Sequence, residues 1–110
     1  MEATRMYEGQ SAIVWVDADR AFVSGTTAEG RIESERIERG ACSENEYLAH
    51  VVHEIGNRAR ISIVGPSAIR LALEREFVSI SHRPERLVGI PLSHRATDHE
   101  ILARLRRLAA

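Results

Sequence analysis

Apolar positions along this chain fall into two kinds of run. From Ala12 to Val16 (AIVWV) five apolar residues follow one another without a polar break, and most are β-branched or aromatic. Such a run predicts a strand buried on both faces. Asp17-Ala18-Asp19-Arg20 supplies turn chemistry, and Ala21 to Thr26 reads as the returning strand of a hairpin. Arg31 to Arg39 (RIESERIER) is charged throughout, with Ile32 and Ile37 five positions apart. That spacing breaks strict alternation and predicts an exposed edge strand carrying a bulge.

The second kind of run has the helical period. Ser43 with Glu46 three residues later is a capping box, opening a helix that extends to about Asn57. Tyr47, Leu48, Val51, Val52 and Ile55 fall on one face at ~100° per residue. ISIVG is the next strand. After Gly65-Pro66-Ser67 a second helix follows, with Ile69, Ala72, Leu73 and Phe77 as its inward stripe. Leu87 to Leu92 (LVGIPL) predicts a last buried strand ended by Pro91. Thr97 with Glu100 forms a second capping box, opening a helix that turns Ile101, Leu105 and Leu108 inward. The order is β-β-β-α-β-α-β-α. It implies an α/β fold with a mixed sheet of about five strands, covered by helices on both faces.

Length and composition narrow the function classes. The 110 residues make one domain, residues 11–110, preceded by a flexible arm at residues 1–10. A net charge of −1 supplies no global attraction to nucleic acid, so any RNA contact must come from a local patch. All 15 basic residues are Arg, a side chain suited to bidentate phosphate contacts. The single Cys42 cannot form an intramolecular disulfide. No apolar run approaches the roughly 20 residues of a membrane span, and the start lacks a signal-peptide pattern, so the cytoplasm is the expected location.

Three segments in this order resemble the C-terminal domain of archaeal and eukaryotic class I release factors and Pelota, and more closely its small stand-alone bacterial relatives. VWVDADRAFV is similar to their opening strand-turn-strand through Trp15, Val16, Asp17, Ala21 and Val23. ISIVGPSAIRLALEREF is similar to their strand, Gly-Pro turn and helix. SHRATDHEILARLRRL is similar to their closing segment, where Thr97 and Asp98 start the last helix. Ala18 stands where that pattern carries a His, and ESERIER replaces a His-rich third strand. The peptidyl-tRNA hydrolysis of release factors uses a Gly-Gly-Gln loop on another domain, and these 110 residues contain no Gly-Gly pair. The resemblance therefore implies binding of a translation component rather than catalysis.

The candidate chemistry is sparse. Gly65, Ser67 and Ala68 form a strand-to-helix turn whose backbone N–H groups could seat an anion or nucleotide. However, Pro66 contributes no N–H, and the Gly spacing of dinucleotide and P-loop motifs is missing, so a structural corner is the favoured reading. Glu46, His50, His53 and Asn57 share the face opposite the Tyr47 stripe; a solvated or docking face is expected there rather than a metal site. Ser93, His94, Asp98 and His99 surround a helix start, but proximity in sequence does not make a triad. Arg104, Arg106 and Arg107 suit the negative end of a helix and could also meet rRNA or an acidic partner. Trp15 is expected in the core. Leu71 and Phe22, off the main stripes, suggest a homodimer. The sequence thus points to a non-catalytic module with no cofactor, metal or membrane, and with a protein or ribosomal partner. A small anion- or nucleotide-binding protein is the alternative.

Overall fold

A computed structural model describes residues 10–90 and 97–109. Its elements run β1 (Ser11–Val16), β2 (Arg20–Thr26), β3 (Ile32–Glu38), α1 (Glu44–Ile55), β4 (Arg60–Val64), α2 (Ile69–Ser81), a 3-10 turn (Pro84–Arg86), β5 (Leu87–Gly89) and α3 (Asp98–Ala109). They form one sheet in the order β3-β2-β1-β4-β5. β1 pairs antiparallel with β2 and parallel with β4. The mixed α/β fold expected from the sequence is therefore present.

Strand alternation divides the apolar residues between two layers. Ala12, Val14, Val16, Ala21, Val23, Ile61 and Ile63 face α1 and α2 and pack on Tyr47, Leu48, Val51, Leu73 and Phe77. Ile13 and Val64 face the other way and pack on Ile101 and Leu105 of α3. The first core is broad, whereas the second rests on one helix.

The local signals in the sequence are realised. Ser43 Oγ accepts from the Glu46 N–H at 3.1 Å, and Glu46 returns a carboxylate to the Ser43 N–H at 3.1 Å. Thr97 and Glu100 make the same reciprocal pair at 3.1 and 3.0 Å. The Asp17 carboxylate accepts from the Asp19 and Arg20 N–H groups at 2.8 and 2.9 Å, which fixes the first hairpin turn. Tyr47, buried in the first core, donates its hydroxyl to the Asp17 carbonyl at 2.9 Å and ties α1 to that turn. Burial, and then the charges of Asp17 and Asp19, push its phenol pKa well up.

Four expectations need correction. β3 is an exposed edge strand, but its ladder with β2 runs unshifted from Arg20↔Glu38 to Thr26↔Ile32, so it has no bulge. Ile37 faces the core and Ile32 is simply exposed on the other face. The register shift lies between β4 and β5, at Ile61/Ser62. β5 is a three-residue edge strand, not a buried one: Val88 is 48% exposed. An apolar run alone does not reveal whether a helix covers both of its faces. Trp15 is half-buried rather than core, resting against Phe22 with ring centroids 6.1 Å apart, because α3 covers only part of its face. α1 ends at Ile55, before Asn57, where Gly56 takes φ 65°. The first nine residues of the expected N-terminal arm lie outside the described residues. The carbonyl of the tenth, Gln10, accepts from the Ala59 and Arg60 N–H groups at 2.7 and 3.3 Å.

The C-terminal end of α1 holds two buried arginines, Arg58 (3% exposed) and Arg86 (7% exposed). Arg58 donates from Nη1 to the carbonyls of Glu54 and Ile55 at 3.1 and 3.2 Å, and from Nε to Thr26 at 3.2 Å. Arg86 donates to the carbonyls of Arg58 and Gly56, both at 2.7 Å, with its guanidinium 4.8 Å from the Phe77 ring centroid. Helix C-terminal carbonyls have no partner within their own helix, so these donors satisfy groups that burial would otherwise penalise. Burial, and then Arg83, lower the pKa of Arg86.

Two stability outcomes are expected. Arg86→Met removes two charge-assisted bonds to buried carbonyls and should cost about 3 kcal/mol in a urea melt, with Arg86→Lys restoring only part. At Gly65 an added Cβ would sit 2.4 Å from the Val16 carbonyl oxygen. Gly65→Ala should therefore cost about 2 kcal/mol or more in the same assay, since the clash is with backbone.

Candidate functional site

The strand-to-helix turn at Gly65 is explained by packing. β1 ends beside it, and the Val16 carbonyl oxygen occupies the space a side chain would need. The next residues are pinned from behind: the Arg70 N–H and Nη1 donate to the Ser67 carbonyl at 3.3 and 2.8 Å, and Arg70 Nε reaches the Ile90 carbonyl at 3.4 Å. Ser67 and Ala68 are exposed, and Ala68 caps α2 without a side-chain bond. Among the described residues no side chain converges on their N–H groups.

On α1, His50 and His53 are exposed as expected. His50 Nε2 lies 3.6 Å from a carboxylate oxygen of Glu54, one turn along. Glu46 is occupied in the capping box, and Asn57 lies beyond the helix, half-buried. Among the described residues no group of three His, Cys, Asp or Glu could hold a metal ion. Cys42 is exposed. Ser93, His94 and Arg95 lie outside the described residues; His99 is exposed on the first turn of α3.

The arginines of α3 belong to a different surface. α1 covers one face of the sheet and α3 the other, so the two sets of candidate contact residues cannot meet one flat partner together. Arg104 and Arg107 border an open groove of about 340 Å³ between α3 and the β4–β5 half of the sheet. Ile13, Ser62 and Val88 form its floor, and Arg60 projects from the start of β4. Arg106 is exposed and does not line it. Arg60 and Ser62 were not among the sequence candidates. Their signal was the alternation of Arg60, Ser62 and Val64 with Ile61 and Ile63, which puts a polar pair on the α3 face. The groove and the Gly65 turn sit at opposite ends of β4, about 16 Å apart.

A second groove, of about 360 Å³, lies on the other flank of α3. Phe22, Ile101 and Leu102 give it apolar walls, and the Ser24 and Ser34 hydroxyls share a hydrogen bond of 2.9 Å within it. Arg36 lies over the Phe22 ring, 5.2 Å from its centroid. Phe22 therefore faces α3, whereas Leu71 is exposed on α2 across the sheet. The two residues expected to pair in a homodimer thus lie on opposite sides of the sheet.

No protein-family model and no curated protein matches the chain. Solved structures do. The Pelota protein of Thermoplasma acidophilum aligns over 88% of this chain with a TM-score of 0.60 and 19% sequence identity. Pelota of Archaeoglobus fulgidus aligns over 91% with a TM-score of 0.65 and 8% identity. The fold is Pelota-like. The chain spans about a third of either protein, 32% of each.

Within that shared fold, α3 carries the groove arginines, and its first turn depends on Glu100. The Thr97 N–H, and then its hydroxyl, hold the Glu100 carboxyl below its usual range. A folded-state pKa below the unfolded one contributes stability above the unfolded value and loses it as pH falls through the folded one. Acidification should therefore release the Thr97 amide. Its NMR shift is expected to titrate with the Glu100 carboxyl, and Glu100→Gln should flatten that titration.

Proposed function

We propose that this chain is a non-catalytic binding module of the translation machinery, acting in the cytoplasm on a ribosomal component or a translation factor. The likeness of nine-tenths of its length to part of two Pelota proteins carries the reading. A relative of such a domain would work by docking. The arrangement of its side chains is in keeping with that. Glu46 and Glu100 serve as helix caps, and both grooves are open surfaces beside α3. Among the described residues no helix is long and apolar enough to cross a membrane.

The nucleotide-binding alternative is the weaker one. It would rest on the Gly65 turn, whose glycine already has a packing reason and whose Ser67 carbonyl is committed to Arg70. Centrifugation of purified protein with ribosomes through a sucrose cushion tests the leading reading. Co-sedimentation at low salt that weakens as salt rises is expected. Protein left wholly in the supernatant with intact ribosomes and with separated subunits would overturn it.

A further inference from the structure

The groove beneath the C-terminal half of α3 is lined by charges of one sign. Arg60, Arg104 and Arg107 line it, and among the described residues no carboxylate does. Among the described residues none of the three lies within ion-pairing distance of an acidic group, although Glu100 is within electrostatic reach of Arg104. Of the other arginines, Arg36 and Arg83 pair with Glu38 and Glu85, and Arg86 is buried against carbonyls. Three like charges gathered without counter-ions repel one another, a cost that an anionic occupant would remove.

We infer that this groove binds the phosphodiester backbone of RNA. The inference rests on the translation-machinery reading for its choice of RNA among polyanions, and on charge complementarity for the site. Arg104 and Arg107 stand one helical turn apart on one wall, and Arg60 stands on the strand facing them. Donors spread along a cleft suit a chain of phosphates better than one compact anion. Guanidinium groups match phosphate oxygens in bidentate geometry, and the Ser62 hydroxyl on the floor adds a neutral donor. Among the described residues no aromatic side chain lines the groove, so they offer bases no stacking platform and recognition is of backbone, without sequence preference. The acidic Glu33, Glu35 and Glu38 of β3 lie at the far edge of the sheet, away from the groove.

The test is fluorescence anisotropy with a labelled 12-nucleotide oligouridylate. Three phosphate contacts on a single strand give a log–log salt slope of about −2, or roughly 20-fold weaker binding at 200 mM than at 50 mM salt. The expected Kd lies between about 10⁻⁴ and 10⁻⁶ M. Arg60→Ala/Arg104→Ala/Arg107→Ala should weaken binding at 50 mM salt by about tenfold or more and flatten the slope. The same three positions changed to Lys should retain most of the slope, and a wild-type-like circular dichroism melt confirms the fold. Arg106→Ala, outside the groove, should change binding less than about twofold. Equal binding by the triple Ala variant and the wild type would overturn the inference. So would a polyglutamate peptide of matched charge competing as well as unlabelled RNA. Failure of the two readings can be told apart. Ribosome co-sedimentation unaffected by the triple Ala variant, without oligonucleotide binding, removes the groove and leaves the translation reading. Groove-dependent RNA binding without co-sedimentation does the reverse.

Discussion

The packing of this domain depends on two guanidinium groups at the C-terminal end of α1. Arg58 and Arg86 together satisfy the carbonyls of Glu54, Ile55, Gly56 and Thr26, and the Arg58 carbonyl as well. The bonds join β2, α1, the connection to β4 and the 3-10 turn before β5. An ammonium group could not do this, since it offers a point charge where a planar fork of donors is needed. Gly25 is part of the same arrangement, because a Cβ there would come within 2.4 Å of Arg58 Nε. Burying two cations is costly in itself, and it is tolerated because charge-assisted bonds and the helix dipole both favour the cation there.

Fixing α1 in this way commits one face of the sheet to structure. Tyr47, Val51, Leu73 and Phe77 fill that side with a continuous core. Among the described residues the other face is held by α3 alone, through Ile101 and Leu105 against Ile13 and Val64. A single helix about 10 Å wide cannot cover a five-stranded sheet whose strands lie about 4.8 Å apart. Flanking grooves are a geometric consequence. Their chemistry differs because the strands beneath them differ: Phe22 and the serine pair on one side, Arg60 and Ser62 on the other. The half-burial of Trp15 and the exposure of Val88 follow from the same incomplete cover.

This explains which features were legible in the sequence. Element order, both capping boxes and the inward stripes of α1 and α2 depend on contacts within a few residues, and the residue pattern carries them directly. The corner at Gly65 was legible as a turn, although its reason, the Val16 carbonyl, lies 49 positions earlier in the chain. The errors concern cover. AIVWV and LVGIPL are equally apolar, yet the first lies in the centre of the sheet and the LVG of the second at its edge, while Pro91 and Leu92 lie outside the described residues. Arg58 and Arg86 were invisible because their partners are backbone carbonyls, which have no signature in sequence. The grouping of Arg60 with Arg104 and Arg107 needed the parallel pairing of β1 and β4, which places the start of β4 beneath the last turns of α3.

A chain of net charge −1 can still present a basic surface, because total charge says nothing about where the charges lie. Glutamates are concentrated on β3 and α1, and arginines without ion-pair partners among the described residues gather at the last turns of α3. Helix energetics alone would favour cations at that end, and in an isolated helix nothing further would need explaining. The distinguishing fact is Arg60, which belongs to a strand rather than to α3 and faces the same groove. Three charges drawn from two elements onto one concavity make a local field that a Debye length of about 8 Å confines to its own neighbourhood. A surface of that kind would steer little from a distance. It would discriminate at contact, among partners already held close by other means.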